Sequence, residues 1–96
     1  MKVCRVIGNV VSTKKEEKIT GFKLLIVQPV DMYEFKPEGS PFVAVDAVGS
    51  GEGEIVLVVA GSSARLTAMT KDKPADATIQ AIIDFINIDG KQTYAK

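Results

Sequence analysis

Six consecutive residues, Gly49-Ser-Gly-Glu-Gly-Glu54, put three glycines and two carboxylates into one short loop between two apolar segments. Such a loop can wrap backbone N–H groups around a phosphate, but a phosphate site also needs a cation, and this loop has none. Glu52 and Glu54 would repel the anion, which favours a turn or a contact between copies. Further on, Gly61-Ser-Ser-Ala-Arg65 could hold an anion between Ser62, Ser63 and Arg65. A serine capping a short helical turn, with the arginine at a subunit interface, explains the same residues with less. Cys4 is the only cysteine, and the chain has no histidine to activate it; a buried strand thiol is favoured over a nucleophile. Asp46, Glu52 and Glu54 do not follow a calcium-loop spacing, so no metal site is assigned. Phe22, Tyr33, Phe35 and Phe42 could stack nucleic-acid bases, but zero net charge and the absence of tryptophan favour packing. No catalytic residue and no cofactor are expected.

These groups must be positioned by a small chain. With 96 residues, 1–96 reads as one domain, able to bury only about 60–65% of its unfolded surface and so likely to gain from self-association. Twelve basic and twelve acidic residues cancel, which leaves no electrostatic footprint for nucleic acid or an anionic membrane and little repulsion between copies. The lone cysteine, the lack of a secretion signal and the lack of a bilayer-length apolar run point to the cytoplasm.

Short β-rich segments separated by turns dominate the pattern. Val3 to Thr13 places Val6, Gly8 and Val10 on one side, with Gly8 at a bend or bulge. A charged connection, Lys14 to Lys18, precedes a second segment, Phe22 to Val27, ended by Gln28-Pro29. Asp31 to Pro41 reads as an irregular loop, and Phe42 to Val48 and Glu54 to Ala60 as strands three and four. Asp76 to Ile86 fits both a helical and an alternating period, and its isoleucines favour a strand. Asp89-Gly90 then reverses the chain into a short strand, Lys91 to Tyr94. Five principal strands suit a small closed all-β barrel, which removes exposed sheet edges. Leu24, Ile26, Val56, Val58 and Ile82 lie opposite Leu25, Val27, Leu57, Val59 and Ile83. Two apolar faces imply two buried ones, the second against a neighbouring subunit.

The segments Val6-Ile-Gly-Asn-Val-Val-Ser-Thr-Lys14, Gly21-Phe-Lys-Leu-Leu25, Gln28-Pro29, Ala44 to Glu54, Gly61-Ser-Ser-Ala-Arg65 and Asp76-Ala-Thr-Ile79, taken in order, resemble the EutN/CcmL family of bacterial microcompartment shell vertex proteins. The resemblance implies an OB-like five-stranded barrel, to which the residues themselves add one short helical turn at Gly61 to Arg65. It also implies a homopentamer that fills the fivefold corners of a shell otherwise built from hexameric proteins, with no enzymatic activity. It places Gly49, Ser50 and Gly51 in the loop at the fivefold axis, where Ser50 replaces the family's usual alanine and adds a hydroxyl to the opening. Ser62, Ser63 and Arg65 become interface candidates. The alternative is a small OB-like module binding single-stranded nucleic acid or a peptide.

Overall fold

The computed structural model describes residues 1–11, 22–60 and 77–96. Seven strands follow in order: β1 (Lys2–Val10), β2 (Lys23–Pro29), β3 (Phe42–Asp46), β4 (Ile55–Ala60), β5 (Ala77–Ile82), β6 (Phe85–Ile88) and β7 (Lys91–Ala95). The first five close into a barrel in the order β1-β2-β3-β5-β4. Every neighbouring pair is antiparallel except β3 with β5, which join in parallel through Val45↔Thr78 and Asp46↔Ile79. That order is the OB-type Greek-key barrel expected from the sequence. The proposed helical turn at Gly61 to Arg65, the charged run Lys14 to Lys18, and Ser62, Ser63 and Arg65 lie outside the described residues.

The interior is built from β-branched and small side chains that fit a narrow pleated cylinder. Cys4, Val6, Leu25, Val27, Ala44, Val56, Val58, Ala77 and Ile79 form one buried cluster, with Phe42 and Ile82 packed against it. Cys4 is completely buried, and desolvation pushes its thiol up to about 11 against a small opposing pull from Lys2. A thiol held protonated inside a barrel is a packing group.

Four sequence expectations change in detail. The register slips between Val6 and Gly8, so that Val6 faces Val27 while Gly8 faces Ile26 and Val10 faces Leu24. The bulge expected at Gly8 is therefore present, but it moves Gly8 and Val10 to the opposite side from Val6, because one extra residue inverts the alternation. Strand β2 runs on through Pro29, which pairs with Cys4. Proline is tolerated at this final position because the next residue takes over as donor, Val30 N–H to the Val3 carbonyl at 3.1 Å. Strand β3 stops at Asp46, before Val48, because its side chain begins a turn, as described below.

The segment Asp76 to Ile86 is not one strand. Strand β5 pairs along β4 as far as Val56↔Ile82, and Ile83 N–H makes a last bond to the Ile55 carbonyl at 2.9 Å. There β4 ends. The remaining apolar residues pair with β7 instead, in a separate two-stranded sheet. Its turn is the expected Asp89-Gly90 reversal, with φ of 51° and 76°, the left-handed pair that matches the twist of a tight hairpin.

Candidate assembly surface

The glycine loop begins and ends on a carboxylate. Asp46, the last residue of β3, accepts hydrogen bonds at Oδ1 from the Ser50 hydroxyl at 3.0 Å and the Val48 N–H at 3.2 Å. At the other end Glu54 Oε1 accepts the Gly51 N–H at 2.7 Å, while its own N–H donates to the Gly51 carbonyl at 3.2 Å. Gly53 N–H reaches the Val6 carbonyl at 2.8 Å, and Val6 N–H returns to the Glu54 carbonyl at 3.0 Å. The loop is thus sewn onto β1. Gly49 and Gly53 have φ of 78° and 88°, a backbone that side-chain-bearing residues rarely adopt.

Ser50 corrects one expectation. It is fully buried, so its hydroxyl is spent on Asp46 and adds nothing to the polarity of an opening. Gly51 is the reverse case. Among the described residues a Cβ placed there would meet only Glu54 Oε1, at 3.8 Å, so none of them requires glycine at this position.

Two of the three carboxylates considered for calcium, Asp46 and Glu54, have other work. Asp46 holds the turn, and Glu54 pairs through Oε2 with Lys96 Nζ at 2.7 Å. The Lys96 side chain, and after it the Gly51 N–H, hold the Glu54 carboxyl below its ordinary range. Among the described residues no group of three potential ligands gathers. Two of the four aromatic residues weighed for base stacking are engaged in packing. Phe42 packs on the core beneath Lys2, whose Nζ lies 5.9 Å from the ring centroid, and Phe35 meets Tyr94 at 5.3 Å.

What the barrel does present is apolar outer surface on two sides. Past the β1 bulge, Gly8, Ile26 and Val43 form one cross-strand row on β1-β2-β3, and Val10, Leu24 and Val45 the next. Ile7 and Val43 are 47% and 48% exposed. On the β1-β4-β5 side the outward row is Val3, Leu57 and Ala81. A groove of about 560 Å³ runs along it, lined among others by Val3, Leu57, Met32 and Tyr33. Not all of the second apolar face is exposed in the subunit. Val45, Val59 and Thr78 share the outward register yet are buried within the subunit.

The Met32–Tyr33 rim of that groove is held by Asp31. Its Oδ1 accepts the N–H groups of Tyr33 and Glu34 at 3.0 and 2.7 Å, and its Oδ2 that of Lys36 at 2.7 Å. The Glu34 N–H foremost, with the other backbone donors, lowers the Asp31 pKa against an opposing desolvation. A carboxyl with a depressed folded pKa contributes order that is complete above its unfolded value and is lost as pH falls through the folded one. On acid titration the Tyr33, Glu34 and Lys36 amide signals are therefore expected to move together, with a common midpoint below the unfolded aspartate pKa of about 3.9. A common midpoint at or above that value would contradict this anchor.

A family model described as "Ethanolamine utilisation protein EutN/carboxysome" matches residues 1–84. The chain belongs to the EutN/CcmL family. Within the family it is 45% identical over 97 residues to the carboxysome shell vertex protein CcmL of Thermosynechococcus vestitus, covering 100% of this chain and 96% of that one. The solved structure of Nostoc sp. PCC 7120 CcmL superposes with a TM-score of 0.92 at 40% identity, with all of both chains covered. The GrpN pentameric microcompartment shell protein from Rhodospirillum rubrum superposes at 0.81 with 43% identity, covering 92% of this chain and 99% of that one. These relatives of the EutN/CcmL chain are structural shell proteins and not enzymes.

Two residues of this surface escaped the sequence reading. Lys96 lies 42 positions from Glu54 in the chain, with no motif linking them. Asp46 was weighed only as a metal ligand, although an aspartate four residues before a serine at a strand end is a local turn signal.

Proposed function

We propose that this chain is a structural shell protein that assembles as a homopentamer and caps the fivefold vertices of a bacterial microcompartment in the cytoplasm, beside hexameric shell proteins. Sheets of hexagons are flat, and a wedge with fivefold symmetry supplies the curvature that closes them. The observation that carries the reading is the pair of apolar outer rows on different sides of one barrel. A ring needs a heterologous interface, in which one side of each subunit meets another side of the next. Ile7, Ile26 and Val43 offer one such side, and Val3, Leu57 and Met32 the other. The pentameric GrpN relative supports the ring number.

In this arrangement Gly49, Ser50 and Gly51 lie at the fivefold axis, and Ser62, Ser63 and Arg65 contribute to the contact between copies. Native mass spectrometry tests the ring directly, since the principal species should weigh five times the 10.3 kDa subunit. A monomer at micromolar concentration would refute it. Gly51→Val tests the axis. One subunit has room for the new Cβ, so unfolding of the isolated barrel should change by no more than about 0.5 kcal/mol, whereas five branched side chains crowded together should loosen the ring. An unchanged pentamer would remove the loop from the axis.

A further inference from the structure

Glu54 joins the glycine loop to a part of the chain that follows the barrel. One of its carboxylate oxygens takes the Gly51 N–H and the other takes the Lys96 ammonium, both at 2.7 Å. Lys96 is itself positioned, because its N–H donates to the Asp84 carbonyl at 2.7 Å and so extends the β6-β7 ladder by one bond. Asp84 follows Ile83, which is bonded to the Ile55 carbonyl beside Glu54. The hairpin therefore leaves the barrel at the base of the loop and returns to it through one side chain. The Phe35–Tyr94 ring contact holds its flank.

We infer that the β6-β7 hairpin is a latch on the glycine loop, in which Lys96 orients the Glu54 carboxylate that in turn fixes Gly51. A carboxylate bridging a backbone N–H and an ammonium is held at both oxygens. Without the lysine it is free to rotate off the amide. Lys96 is thus a positioning residue, acting on Gly51 only through Glu54. The latch concerns one subunit and stands without the ring. Where five loops meet at an axis, it makes the hairpin the element that controls how firmly the lining of that opening is held.

The test is amide hydrogen exchange on the full chain, read at Gly51 and at Gly53, with the assembly mass recorded in parallel. Lys96→Met should speed Gly51 exchange about three- to fivefold, the size expected of an exposed ion pair. Gly53, which donates to Val6 rather than to Glu54, should not change, and Lys96→Arg should restore the slow rate. Unchanged Gly51 exchange in Lys96→Met, or equal acceleration at Gly53, would overturn the latch. A non-pentameric mass with the expected Gly51 effect would instead count only against the ring.

Discussion

Val43→Lys is expected to reduce the assembly to single barrels without unfolding them. Val43 is 48% exposed on the outer row of β3, so in an isolated subunit the new ammonium stays in water and the substitution costs no more than about 0.5 kcal/mol. In the proposed ring the same position is covered by a neighbour, and an unpaired buried charge there would cost several kcal/mol at each contact. Five contacts must close at once, so association should fall by far more than 100-fold. The heterologous geometry adds a sharper outcome. Leu57→Lys, which carries the same sign of charge and so cannot pair with the first substitution, disables the other side of the barrel, and it too should give monomers. Mixing the two variants leaves one intact side on each, and a single productive contact can form. The mixture should therefore contain dimers of one copy each and no pentamer. Restoration of a full ring, or a pentamer from either variant alone, would show that these rows are not the interface.

Ile79→Ala should be the most damaging single change to the barrel itself. Ile79 is fully buried and sits where the cylinder closes, paired with Val58 on one side and Asp46 on the other. Truncation removes three carbons at a point that backbone pairing on both flanks keeps from collapsing, which places the cost at about 3–4 kcal/mol. Small domains have only about 5–15 kcal/mol in total. For a chain of this size each kcal/mol moves the melting temperature by roughly 4–8 °C, so a fall of roughly 12–30 °C is expected in circular dichroism melts. The comparison belongs in the Val43→Lys background, since assembly adds stability through mass action. Ile7→Ala, at a position 47% exposed, should move the midpoint by only a few degrees. Similar losses for the two would mean that Ile79 is not the keystone of the closure.

Several features could be read from local signals. The Asp89-Gly90 reversal needs only two residues that accept positive φ, flanked by alternating segments. The Ile55–Ala60 run is strand-sized and lies between Gly53 and Gly61 in the sequence, and no pairing partner is needed to recognise it. The ordered segments shared with the EutN/CcmL family, the glycine loop among them, likewise carried the fold class and the expectation of a shell role. Each of these depends on residues within a few positions of one another.

Other features belong to pairs of strands. Alternation assigned Gly8 and Val10 to the same side as Val6, and the slip against β2 reversed them, because a bulge is a property of two strands in register. Asp76 to Ile86 carries one unbroken apolar pattern, and it divides where β4 runs out of backbone to pair with. The hydroxyl of Ser50 carries no sequence sign of its partner until the end of β3 brings Asp46 beneath it, and nothing near Glu54 in the chain announces Lys96. The order of residues thus determined the elements, the turns and the kinship of this protein. Only the closed barrel decided which faces are covered, where the fifth strand stops and what holds the glycine loop, since hydrogen-bond ladders and ion pairs form between groups that the chain keeps dozens of residues apart.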